Sequence, residues 1–135
     1  MSDFKSAKTA IHRSAEGIYD FLSDFNNFQH LIPADRVKNY ESTKETCSFS
    51  VEGMPAFHLK MGDNIPVSKV IMIPQQSSGI DFALTTHIEQ VSPSGCEVTI
   101  ILTAELNAFM KMMASKPLQT FVDTLAEKLK TYFEQ

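Results

Sequence analysis

Between about residue 36 and residue 106 the chain reads as six short strands in succession, with very little sequence between them. The segments are RVKNYEST, TCSFSVE, AFHLKMG, SKVIMIP, IDFALTTHIEQV and CEVTIILTAEL. Polar or Gly/Pro breaks separate them: Lys44-Glu45, Gly53-Met54-Pro55, Asp63-Asn64 with Pro66, Gln75 to Gly79, and Pro93-Ser94-Gly95. A parallel crossover needs about a dozen residues or more, so connections this short make the neighbours antiparallel. The alternation then assigns faces. Phe49 pairs with Val51, and Phe57 with Leu59 and Met61; Ile80, Phe82, Leu84, Thr86 and Ile88 form a third set, and Cys96 to Leu106 a fourth at every second position. Ser48, Ser50, His58, Lys60, Asp81, His87, Glu97, Thr99 and Glu105 fall opposite, so the sheet is expected to be apolar on one side and wet on the other.

An apolar face needs a cover, and the C-terminal segment is the one long helix the pattern offers. Met110, Met113, Ala114, Leu118, Phe121, Val122, Leu125, Leu129 and Phe133 recur at three- and four-residue steps. Lys111, Gln119, Asp123, Glu127, Lys130 and Glu134 are assigned to the other side. Pro117 lacks an amide N–H, so it is expected to kink the helix or to open a new segment capped by Ser115.

Ahead of the six strands, FKSAKTAIH (residues 4–12) reads as a strand with Ala7, Thr9 and Ile11 on one face. Ser14 reads as an N-cap of a helix through Phe25, with Glu16 near the positive end of its dipole. Asn26-Asn27 is expected to break that helix, and Pro33 to stop a short second one over NFQHLI.

Length and charge narrow the function. A chain of 135 residues fits one domain, residues 1–135, with a real core. The formal net charge of −4, with Lys and Arg scattered, argues against a nucleic-acid partner. The N-terminus has no apolar signal region, and the longest apolar run is VIMI at 70–73, so no integral membrane segment is expected and the location is read as cytoplasmic. Cys47 and Cys96 read as small core residues of a protein in a reducing compartment.

The order strand, two short helices, six antiparallel strands, long helix resembles the START-like or SRPBCC superfamily. This is the helix-grip group that includes birch-pollen-allergen-like proteins and polyketide cyclases and dehydratases. The resemblance is carried by SAEGIYDFLSDFNNFQHLIP at 14–33 and NAFMKMMASKPLQTFVDTLAEKLKTYF at 107–133. It implies an α+β helix-grip fold: a curved seven-stranded antiparallel sheet wrapped around a long C-terminal helix, with two short helices between strands 1 and 2. It further implies a deep cavity between sheet and helix for a small hydrophobic or amphipathic molecule. Phe28, Phe49, Val51, Phe57, Leu59 and Met61 are expected to line it from one side. Phe82, Leu84, Thr86, Met110, Met113 and Phe121 complete the lining, and residues 108–116 are read as a lid. Methionine suits such a role because it is unbranched and polarizable.

Catalytic signatures are missing from the sequence. His12, His30, His58 and His87 have no helical zinc spacing, and no P-loop, Gly-x-Ser-x-Gly or Gly-x-Gly-x-x-Gly occurs, so no catalytic residue, metal or cofactor is assigned. Thr86 is the clearest inward polar position, with Asn39 and Tyr40 ambiguous; Asp24, His30, Asp35 and Arg36 are candidates to ring an opening. The leading reading is a binder or carrier of a small hydrophobic molecule. The alternatives are a cyclase, dehydratase or isomerase acting in the same cavity, and a protein-interaction module with an apolar patch around Met54, Pro55 and Met112.

Overall fold

The strand read over residues 4–12 is two strands. In the computed structural model, described for residues 2–32, 37–51, 56–75 and 82–134 (backbone alone at Val51 and Ala114), β1 spans Ser2–Lys5 and β2 spans Thr9–Ile11. Both pair antiparallel with β8, Gly95–Ala104, but their registers differ by one residue. The break lies at Ser6, whose N–H donates to the Ile100 carbonyl (2.8 Å) while its hydroxyl accepts from the Ile100 N–H (2.9 Å). That slip lets Phe4 and Ile11 both face inward, which an odd spacing forbids in one uninterrupted strand. Ala7, grouped with Ile11 by alternation, is exposed.

The remaining strands are β3 (Val37–Ser42), β4 (Thr46–Val51), β5 (Phe57–Met61), β6 (Lys69–Pro74) and β7 (Phe82–Ser92). The order across the sheet is β1-β8-β7-β6-β5-β4-β3, every pair antiparallel, with β2 also on β8. Among the described residues the expected seven strands are therefore eight, and the sheet they form is open.

Helix α1, Ala15–Leu22, starts at Ser14, whose hydroxyl accepts from the Gly17 N–H. It buries Ala15, Ile18, Phe21 and Leu22. The break after it comes at Ser23-Asp24, earlier than Asn26-Asn27: the Asp24 carboxylate accepts from the Asn26 N–H (2.9 Å) and caps α2, Phe25–Phe28.

Helix α3 runs unbroken from Ala108 to Glu134. Asn107 caps it, its side-chain oxygen accepting from the Met110 N–H at 2.8 Å. Pro117 is tolerated inside the helix, and Ser115 is no new cap: its hydroxyl donates back to the Lys111 carbonyl. Leu118, Val122, Leu125, Ala126 and Leu129 are buried. They seat α3 on β8, β1 and β2, while α1 lies over β6 and β7 and α2 over β4. The tail of α3 meets α1 through Phe21, whose ring centroid is 4.7 Å from Tyr132 and 5.0 Å from Phe133. The Arg13 guanidinium sits 5.2 Å from the Phe133 centroid and closes that end.

Candidate ligand-binding site

The inner face of the sheet, beyond the strands that α3 covers, is a wall of aromatic rings. Starting from α2, Phe25 contacts Phe28 (6.0 Å between centroids), Phe28 contacts Phe49 (6.3 Å), Phe49 contacts Phe57 (5.6 Å) and Phe57 contacts Phe82 (5.7 Å). Strand alternation puts Phe49 and Phe57 side by side as direct partners on β4 and β5. Tilted and edge-on contacts of this kind suit the ring quadrupole. Burial falls along the row: Phe25, Phe28 and Phe49 are buried, whereas Phe57 and Phe82 are half-buried. The apolar surface therefore becomes accessible at the end where β7 begins and β8 hands over to α3. Leu106 and Phe121, also half-buried, pack against the core.

Tyr40 joins this wall, which the sequence left open. Strand β3 carries a bulge between Lys38 and Glu41, with Asn39 at φ 58°. Asparagine tolerates that left-handed conformation better than most residues. The extra residue turns Tyr40 onto the inner face, where its ring stacks on Phe49 (5.9 Å, 19° between planes). Its hydroxyl donates to the Phe25 carbonyl at 2.6 Å. Ser42 adds a bond from its hydroxyl to Asn26 Oδ1 (2.7 Å), so two side chains of β3 fasten α2. Burial drives the Tyr40 phenol far above its ordinary range, helped by Cys47 and Asp24. Burial likewise pushes the Cys47 thiol up to about 12. Both groups stay protonated and neutral at physiological pH, so this polar pair adds no charge to the wall.

The other expected lining residues divide into three groups. Phe28, Phe49, Leu59, Leu84 and Thr86 are buried and inward, Thr86 standing between Val70 and Ile100 in register. Phe57, Met61, Phe82, Met110 and Phe121 are half-buried, and Met61 pairs directly with the buried Met72. The Val51 side chain, Ile80 and Asp81 lie outside the described residues.

Met113 departs from the expected inward stripe and is 66% exposed. Stepping back two turns from Leu118 and Val122 leads to Lys111 and Ser115, not to Met113. Lys111 is exposed, as expected, although helical phase puts it in line with the buried stripe.

His30 is exposed, and its ring lies 5.3 Å from that of Tyr132, at the closed end. Tyr132 is 22 positions along α3 from Met110, roughly 33 Å at the helical rise, so His30 is far from the accessible rings near Met110. Asp35, Arg36, Met54 and Pro55 lie outside the described residues. Among the described residues no group of three or more His, Cys, Asp or Glu side chains is placed to hold a metal ion. No described helix is long and apolar enough to cross a membrane.

No family model matches the sequence, and no curated protein matches it. Solved structures do resemble it. A START superfamily protein from Mycobacterium smegmatis aligns over 98% of this chain and 97% of its own, with TM-score 0.69 and 17% identity. The protein XoxI from Bacillus cereus aligns over 100% and 97%, with TM-score 0.76 and 11% identity. The di-domain ARO/CYC protein BexL of the BE-7585A biosynthetic pathway aligns over 96% of this chain and 46% of its own, with TM-score 0.65 and 10% identity. At these identities the likeness is one of fold, and that fold is START-like.

Proposed function

We propose that this START-like, helix-grip chain binds and carries a small hydrophobic or amphipathic molecule against the aromatic inner face of its sheet. One observation carries the reading: the row Phe28–Phe49–Phe57–Phe82 runs from buried to half-buried, so an apolar surface made by the core continues into an accessible one. Rings so placed offer a guest a large dispersion and desolvation gain with little loss of side-chain freedom. Thr86, Tyr40 and Cys47 supply neutral polar atoms on the same face, which suits a guest that is uncharged where it is enclosed. Nile red uptake, thermal shift with a panel of apolar compounds, and native mass spectrometry of the purified chain test it. Uptake that falls on Phe57→Ser supports the reading. No co-purifying compound, no thermal shift and no Nile red signal would end it.

A second reading has one neighbour behind it, the ARO/CYC di-domain protein. A cyclase or dehydratase acting on a hydrophobic substrate would use the same wall, with Tyr40, stacked on Phe49, as a proton-bearing group beside the rings. Turnover of a linear polyketone mimic, lost in Tyr40→Phe while Nile red uptake persists, would favour it over simple carriage.

A further inference from the structure

The polarity of α3 inverts at Pro117. After it, the stripe Leu118, Val122, Leu125 and Leu129 is buried, and Asp123, Glu127, Lys130 and Glu134 are exposed. Before it the assignment is reversed. Lys111 and Ser115 continue the buried stripe at seven-residue steps, whereas Phe109 continues the line of Asp123 and Lys130, and Met113 that of Glu127 and Glu134. In the structure Phe109, Met112 and Met113 are 69%, 78% and 66% exposed, and Lys111, in line with the buried stripe, is exposed too, so of residues 108–113 only Met110 is half-buried. An apolar side turned away from the core gives the fold nothing, and three large apolar side chains together on two turns of helix form a patch, unlike scattered single ones.

Position and charge say what this patch fits. It stands at the end of α3 where the aromatic wall becomes accessible, next to half-buried Met110 and Leu106. From Leu106 to Val122 the sequence has two lysines, Lys111 and Lys116, and no acid, in a chain of net charge −4. Glu105, exposed just ahead of the helix, is the nearest acid along the chain on that side. Lys116 lies one step beyond Met112 and Met113, on the same exposed side as Phe109. Phenylalanine and methionine with Lys116 on the same side match the interface of a bilayer: the apolar groups enter the acyl boundary and the Lys116 ammonium pairs with anionic headgroups, while Lys111, on the opposite side of the helix, adds longer-range attraction.

We infer that Phe109, Met112 and Met113 dock the first turns of α3 on a lipid surface containing anionic phospholipid, with the mouth of the aromatic wall facing the membrane. This rests on the carrier reading above, since a bilayer is where a poorly soluble guest partitions.

Co-sedimentation of the intact chain with vesicles of phosphatidylcholine, or of phosphatidylcholine with phosphatidylglycerol, tests it. The expected result is binding to the anionic vesicles that weakens with added salt. The double variant F109S/M112S should lower the partition at least about tenfold, because two apolar side chains no longer leave water. Its unfolding midpoint and its Nile red uptake without vesicles should match the parent, since both residues are exposed. Lys111→Glu with Lys116→Glu should remove the preference for phosphatidylglycerol. A parent chain that ignores both vesicles overturns the inference. So does a double variant that binds as well as the parent, or a concentration-dependent dimer that the double variant abolishes, which would assign the patch to a second copy. A parent that binds anionic vesicles yet takes up no Nile red supports the docking surface and refutes the carrier reading.

Discussion

Replacing Tyr40 by Phe isolates one oxygen atom. The ring remains, so the stack on Phe49 is kept and no cavity opens beside it. What is lost is the donor to the Phe25 carbonyl, at 2.6 Å in a half-buried setting. Leaving such an acceptor unpaired costs roughly 1–2 kcal/mol, somewhat more than the net worth of an average hydrogen bond. For a domain of this size that is a fall in unfolding midpoint of about 3–6 °C. The pH dependence adds a second readout. The phenol and the Cys47 thiol are both raised in the folded chain, from 10.0 and 9.0 in the unfolded one, the thiol to about 12. On raising the pH the unfolded chain therefore releases its protons first, and stability declines from about pH 9 upward. Tyr40→Phe removes the phenol's share, so the variant should be less stable near pH 7 but should lose stability less steeply above pH 10. Thermal melts or denaturant titrations across pH 7 to 11 measure both effects. A midpoint within about 1 °C of the parent, with an unchanged alkaline slope, would refute the claim that this hydroxyl fastens α2 to the sheet.

Four further outcomes can be checked with the same preparations. Val67 holds φ 70°, a strained value for a β-branched side chain, on an exposed turn; Val67→Asn or Val67→Gly should raise stability by about 1 kcal/mol in urea titrations, and a loss would show that the turn is not strained. Cys47 is buried with its thiol held protonated, so native protein should leave it unmodified by a thiol reagent at pH 8 while urea-unfolded protein reacts at once. Partial desolvation of the exposed His87 ring, with Lys69 and Lys5 nearby, lowers its pKa from 6.5; the unfolded chain then takes up the proton first as pH falls, stability drops through and below that region, and His87→Gln should flatten the drop. Phe49→Ala should cost about 3–5 kcal/mol because the residue is buried among Phe28, Tyr40 and Phe57, whereas Phe57→Ala should cost less and weaken Nile red uptake more.

What alternation could reveal, it revealed. The faces of β4, β5, β7 and β8 hold at the described positions except Thr99, which was expected on the wet side and is buried, because strands covered on one side only must repeat every second residue. The departures sit where a single residue changes the count. Ser6 lets the register slip between β1 and β2, and Asn39 does the same within β3; in both places parity before the slip contradicts parity after it. Two odd spacings are visible in the sequence, Phe4 to Ile11 and Val37 to Tyr40, and each marks a place where an apolar or aromatic side chain needs the extra residue to reach the core. A period-two reading has no term for that, so it called one strand continuous and left Tyr40 without a face.

The misplacement of Met113 has a different origin, and it bears on function. The expected stripe leaves out Phe109 and Met112 but includes Met110 and Met113, which are three positions apart and so satisfy the three- and four-residue steps between themselves. Met110 reaches Leu118 through Ala114 in two steps of four, whereas Met113, five positions before Leu118, does not. One continuous helix cannot change phase, so apolar residues on two of its sides answer to two different surroundings. The second half answers to β8, β1 and β2, which cover it. Sequence periodicity measures agreement with one surface at a time. The disagreement of Phe109 and Met113 with the core therefore identifies the part of α3 whose composition the fold leaves unexplained, and an outward role such as docking on lipid accounts for it without disturbing the packed half.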